Sequence, residues 1–232
     1  MTTQSSPPTL LTDIPYEPNL DELATWLRIS NDAHRAELRD LAAAAQTIAR
    51  PKALYRLAFI DSRTDNAVTV AEATFTSRIL TVNLTPTNRI FPYTATGGTE
   101  LEAWGRSITD MLHNYWADAI QEQALHFALQ ALRDHVTQRY QPADLSTMNP
   151  GSLEDWPLPQ QRPLFDLLGD TEVAIGVQLL DSFLMAPTKS VSGILFEAEK
   201  DYYNCQLCPR SDCPNRQAPY DSEKFEREYN AP

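Results

Sequence analysis

Three cysteines, Cys205, Cys208 and Cys213, stand close together near the C-terminus in the order C-x2-C-x4-C, with Pro214 next. Thiolates are soft donors. Two at x2 spacing share one tight loop and can chelate a single metal or one edge of a cluster, and the third can close the same site. A closed structural zinc site asks for a fourth ligand. The four histidines (His34, His113, His126, His135) are remote in sequence, and the nearest oxygen donor is Asp212. Three cysteines without a fourth suit an iron–sulfur cluster with one open or non-cysteine corner slightly better than zinc. Both stay open, as do three unliganded thiols on a tail. An odd, crowded set of cysteines excludes a disulfide framework in practice and indicates a reducing, cytoplasmic compartment.

Three further segments carry side chains suited to binding. Met148-Asn-Pro150-Gly151-Ser152 is a Pro-Gly turn followed by Trp156-Pro157, then Gln160-Gln161 and Leu164-Phe165. It shapes a pocket or merely feeds a helix. Asp181-Ser-Phe-Leu-Met185-Ala-Pro187-Thr-Lys-Ser190-Val-Ser192-Gly193 reads as two strands around a Pro-Thr-Lys turn, with Gly193 admitting a ligand or a neighbouring backbone. Tyr202-Tyr203 can stack on a planar ligand or simply pack at a strand end.

These segments need a scaffold, and 232 residues can build one. With 19 Lys+Arg against 31 Asp+Glu the net charge is -12, so no basic surplus exists to neutralise nucleic acid or an anionic membrane surface. No apolar run approaches membrane-spanning length, and Met1–Asp13 lacks the regions of a secretory signal. Residues 1–18, with four prolines, read as a mobile arm. Asn19 and Asn31 can cap helices running to Ile29 and to about Arg50. Leu54–Ile60 reads as a strand with Ala67–Val70 as its hairpin partner, and Phe75–Leu84 is ambiguous. Arg89–Ala95 is a strand. Glu100–Tyr140 is one long, largely apolar helical stretch, with Gly105 a candidate break. Pro159–Leu168 is a short helix ended by Gly169, and Ala174–Leu180 and Ser190–Phe196 are strands. The class is α+β: a small, mainly antiparallel sheet packed with several helices, one of them long and central, plus a Cys-bearing C-terminal extension. Residues 19–200 form the domain, and 201–232 form a tail without a core of its own.

Taken in order, the Pro-Gly loop with Trp-Pro, Gln-x-x-x-Leu-Phe-x-Leu-Leu, Ile-Gly-Val-x-Leu, Asp-Ser-Phe-x-Met-x-Pro-x-x-Ser-Val-Ser-Gly and Tyr-Tyr resemble the activation domain of cobalamin-dependent methionine synthase, in a short, free-standing form. The resemblance is sharp from Met148 to Tyr203 and weaker back to Pro51. It implies S-adenosylmethionine as methyl donor, and a cobalamin brought by a partner, because no Asp-x-His-x-x-Gly corrinoid segment is present. The partner would be a corrinoid-binding methyltransferase, a methionine synthase lacking its own activation domain. Its inactive Co(II) state would regain methyl with an electron from a donor such as flavodoxin or ferredoxin. The family's donor-binding positions map onto Pro150, Gly151, Tyr202 and Tyr203, and onto Arg139 if Ala143–Asn149 is an insertion. Its acidic helix residue falls at Glu122, near His126. Two other classes stay in view: a non-enzymatic binding partner of a corrinoid protein, and a small iron–sulfur electron carrier.

Overall fold

The computed structural model describes residues 6–198, 202–213 and 216–229. The first five residues of the expected arm, the boundary expected at 200/201 and Pro214 lie outside them. Along the chain run β1 (Thr9–Leu11), α1 (Leu20–Trp26), α2 (Asp32–Ile48), β2 (Lys52–Tyr55), β3 (Ala58–Phe59), β4 (Ser62–Arg63), β5 (Ala67–Val70), β6 (Ala73–Thr76), α3 (Arg78–Asn83), β7 (Arg89–Thr96), α4 (Thr99–Ser107) and α5 (Met111–Tyr140). Then come β8 (Leu145–Met148), a 3-10 turn at Leu158–Gln160, α6 (Gln161–Leu168), α7 (Thr171–Ile175), β9 (Gln178–Leu179), β10 (Met185–Ala186), β11 (Ser190–Glu197), a second 3-10 turn at Asn204–Gln206 and α8 (Lys224–Glu228).

The main sheet is antiparallel in the order β1-β2-β7-β11-β8, with β3 also on β7. Strand residues alternate between its faces. Ala53, Tyr55, Phe91, Tyr93, Ala95 and Leu195 meet Leu125, Ala128, Leu132 and Val136 of α5. Leu54, Ile90, Met148, Ile194 and Phe196 face the other way, onto α6, Trp156 and the small sheet β4-β5-β6. A third cluster joins α1, α2 and α4 to the first half of α5 through Leu23, Leu38, Leu101, Trp116 and Ile120. The α+β class is therefore as expected, with the long helix laid across one sheet face.

Cap chemistry explains the helix starts. Asn19 accepts from the Glu22 amide and Asn31 from that of His34, the expected N-caps. The ambiguous stretch 75–84 resolves into a strand and then a helix. Ser77 caps α3, and the Asp155 carboxylate accepts from the Ser77 hydroxyl and the Arg78 and Ile79 amides.

Five expectations are corrected. The long helical stretch breaks at Ile108–Asp110, where Asp110 caps α5 through the His113 amide; Gly105 lies inside α4, with the Gln121 side chain packed against it. Ala67–Val70 pairs with β4 and β6, not with residues 54–60. Ala174–Leu180 is the end of α7, then Gly176 at φ 77°, then only two strand residues, because Asp170 starts a helix by capping Val173. The arm is docked from Thr9 onward: β1 pairs with β2, and buried Tyr16 donates to the Ile120 carbonyl. The tail shares the domain's core, since Tyr202 and Tyr229 are buried in the same cluster as Trp156 and Phe196. Among the described residues no helix is long and apolar enough to cross a membrane.

Candidate functional site

β8 ends opposite Ile194 of β11, and the chain leaves the sheet at Asn149 to turn through Pro150-Gly151. Gly151 takes φ 85°, a left-handed conformation that glycine adopts without Cβ strain. Its amide donates 2.7 Å to the Trp156 carbonyl, so the loop closes on itself above the fully buried Trp156 ring. Asn149 ties the loop to the signature strand: its Nδ2 donates to the Ser192 carbonyl (2.8 Å) and the Tyr93 hydroxyl (2.9 Å). A Cβ at Gly193 would lie 2.5 Å from both the Met148 carbonyl oxygen and Asn149 Nδ2. The glycine therefore serves a neighbouring backbone. On the opposite sheet face, buried Ser192 donates to Gln161 Oε1 (2.9 Å), and Gln161 Nε2 donates to the Phe183 carbonyl (3.0 Å). One hydrogen-bonded unit thus gathers the Pro-Gly loop, the Gln-Gln helix start, the Ser-Phe segment and the Ser-Val-Ser-Gly strand.

Beside the start of that strand, Lys189 Nζ stands 3.0 Å from Asp118 and 3.1 Å from Glu122, both on α5. His126 Nε2 is 3.6 Å from the other Glu122 oxygen. His126, and then Lys189, hold the Glu122 carboxyl down from 4.5 to about 2 against the effect of burial. A carboxyl whose folded value is depressed contributes stability that is complete above pH 4.5 and is lost as pH falls toward 2. With solvent screening at this half-buried site, that contribution is about 1 kcal/mol. Glu122→Gln is accordingly expected to flatten the acid limb of a melting-temperature profile over that window. Identical acid limbs for variant and wild type would overturn the assignment.

The remaining sequence candidates do not converge. Arg139 lies in the last turn of α5 with its guanidinium 5.6 Å over the Tyr140 ring, and Tyr140 packs on Tyr55 and Phe91 on the α5 face of the sheet. Tyr202 packs on Phe196 on the opposite face and is 7% exposed, with burial pushing its hydroxyl far above the ordinary range. Tyr140, on which Arg139 packs, and Tyr202 thus belong to clusters on opposite faces of the sheet. Tyr203 is open, at 37%. The three cysteines are free and half-buried. Among the described residues no three His, Cys, Asp or Glu side chains are gathered into a metal-holding group, so the short spacing alone does not assemble one. The loop is built instead on Arg216. Its Nη1 donates to the Cys205 and Ala218 carbonyls, and its Nη2 to those of Cys208 and Arg210.

Sequence reasoning passed over the roles of Asn149, Lys189 and Arg216. The first had a signal, an amide directly before Pro-Gly beside a strand glycine. The other two depend on partners that only the fold supplies.

Residues 153–216 match the family described as vitamin B12 dependent methionine synthase, activation domain. No curated protein matches the chain. Among solved structures, a crystal structure of the MetH reactivation domain bound to AdoHcy shares the fold with a TM-score of 0.62, over 84% of this chain and 80% of that one, at 16% sequence identity. The family that the residues resemble is therefore the one matched, over residues 153–216, and the chain has the fold of a reactivation domain along most of its length.

Proposed function

We propose that the chain restores methylcobalamin on a corrinoid protein supplied by a partner, a methionine synthase lacking its own activation domain, in the cytoplasm. Inactive cob(II)alamin on the partner takes one electron, from a donor of the flavodoxin or ferredoxin kind. A methyl cation then passes from the sulfonium of S-adenosylmethionine to cobalt, and S-adenosylhomocysteine leaves. In this reading the chain's own part is to hold the methyl donor and present it, since no corrinoid segment lies in its sequence. The observation that carries the reading is the hydrogen-bonded unit of Asn149, Ser192 and Gln161, which locks the family-like segments around Pro150-Gly151. That AdoHcy, the demethylated product of such a donor, is bound in the fold relative supports the same ligand class. Pro150, Gly151 and Tyr203 are the proposed contacts, with buried Tyr202 as packing behind Tyr203.

Calorimetry with S-adenosylmethionine tests the binding step. The wild type is expected to bind, and Tyr203→Ala to bind about tenfold more weakly, the loss of one stacking contact. The catalytic step is tested by cob(II)alamin absorbance in a mixture of corrinoid protein, reductant and S-adenosylmethionine, which should turn to methylcobalamin faster with the chain than without it. The separation of Arg139 from Tyr202 favours a second reading, a corrinoid-protein binding partner that has lost the donor site. Undetectable binding at millimolar S-adenosylmethionine, together with a stable complex with the corrinoid protein, would select it.

A further inference from the structure

We infer that Cys205 and Cys208 form a reactive dithiol, a site that a low-molecular-weight disulfide such as glutathione disulfide oxidises reversibly to one intramolecular disulfide, with Cys213 outside the pair. The inference is independent of the methyl-donor reading.

The segment that carries the two cysteines is 3-10 in character along its whole length. The Gln206 amide donates 2.9 Å to the Tyr203 carbonyl, the Leu207 amide 3.1 Å to that of Asn204, and the Cys208 amide reaches the Cys205 carbonyl at 3.4 Å. Leu207, between the pair, stays in the right-handed helical region at φ -105° and ψ -2°. In a 3-10 turn side chains at i and i+3 stand one above the other, separated by about 6 Å along the axis. That spacing falls inside the roughly 4.4–6.8 Å between α-carbons that a disulfide spans, with both side chains on one side of the turn. The backbone is therefore already set for the bond.

Arg216 holds that spacing. Its Nη1 donates to the Cys205 carbonyl (2.9 Å) and its Nη2 to the Cys208 carbonyl (3.0 Å), so one rigid guanidinium fork grips both cysteines. The Gln217 amide donates 3.3 Å to Cys205 Sγ and fixes where that sulfur points. The frame around the turn is anchored as well: Tyr202 and Ala218 are buried, and the Gln206 carbonyl accepts 2.9 Å from the Asp221 amide. Cys213 lies beyond Pro209 and belongs to another turn, in which its carbonyl accepts 3.2 Å from the Arg216 amide. The thiols are half-buried rather than sealed in, which leaves them open to a small oxidant.

The exchange balances within the thiol pool. One cysteine sulfur attacks the oxidant's disulfide and expels one thiol; the other then attacks the mixed disulfide and expels the second. The chain gives up two electrons and two protons, and the oxidant's disulfide becomes two thiols. In a reducing compartment such a bridge is transient, not structural.

The test equilibrates the full chain in buffers graded from reduced to oxidised glutathione, quenches in acid, alkylates the remaining thiols and digests with trypsin. Cleavage after Arg210 puts Cys205 and Cys208 on one peptide and Cys213 on the next. The expected product is the first peptide short of two hydrogens and unlabelled, fully reversed when reduced glutathione is restored. Cys213→Ser should follow the wild-type curve, whereas Cys205→Ser and Cys208→Ser should each collect a glutathione adduct on the remaining member of the pair. The bridge should also survive a several-fold more reducing buffer in the folded chain than in the same chain in urea, where the turn is no longer held. Glutathione adducts on all three cysteines without the bridged peptide would overturn the inference. So would a cross-link between the two peptides in place of the bridge, or coincident curves with and without urea.

Discussion

Gly193→Ala is expected to cost about 3 kcal/mol of stability and to lower the melting temperature by about 6–12 °C. The reason is local and has no easy relief. The added Cβ would meet the Met148 carbonyl oxygen and Asn149 Nδ2 at 2.5 Å each and the Tyr93 ring at 3.1 Å. Gly193 pairs with Tyr93 in the middle of the sheet, so the strand cannot shift without disturbing β7 as well. The Asn149 side chain is the one obstacle able to swing away, and when it does the Pro-Gly loop loses its bonds to Ser192 and Tyr93. Methyl-donor affinity should therefore fall together with stability. A double variant, Gly193→Ala with Asn149→Ala, separates the two obstacles. It should recover part of the stability and none of the affinity, since the Met148 carbonyl remains in the way. A single variant that melts with wild type, or a double variant that binds the donor normally, would show that the loop is not held through this contact.

What could be read from the residues follows the range of the forces involved. Capping is local, so Asn19 and Asn31 announce their helices, and each accepts the amide three residues on. Strand β11 is legible because a β-branched and aromatic run is bounded by turn residues. By contrast β4 is two residues long and carries no pattern, which left Ala67–Val70 assigned to the wrong neighbour. Asp170 lies directly after a glycine that ends one helix, and its equal fitness to start another went unread. At the candidate site, the Pro-Gly loop, the Ser-Val-Ser-Gly strand and the Gln-Gln helix start are recognisable in order. Their joining through one asparagine is a tertiary fact. The surroundings of Arg139 are hidden for the same reason: charge pairing makes it attractive, and only the fold reveals that it packs on Tyr140 while Tyr202 packs on Phe196.

The tail is where composition misleads most, and Tyr229→Ala is expected to show it by costing about 3–4 kcal/mol, near 10 °C in melting temperature. A polar, Pro-punctuated stretch reads as an appendage whose loss leaves the domain intact. Tyr229 is nevertheless 2% exposed and lies in the same cluster as Trp156 and Phe196. Its hydroxyl donates to Asn83 Oδ1 at 2.9 Å, and its carbonyl accepts from Arg78 Nε at 2.9 Å, so both ends of α3 are tied to the tail. Asn83 in turn donates to the Met148 sulfur, one residue before Asn149. Removing the ring opens a cavity in the main core and loosens the cover over Tyr202. Tyr229→Phe keeps the packing and loses one hydrogen bond, so its cost should be only about 1 kcal/mol. Thermal melts of the three proteins, with limited proteolysis at the tail, make the comparison. If Tyr229→Ala freed the tail to protease while the melting temperature stayed at the wild-type value, the tail would be an independent appendage and its share in the core an incidental contact.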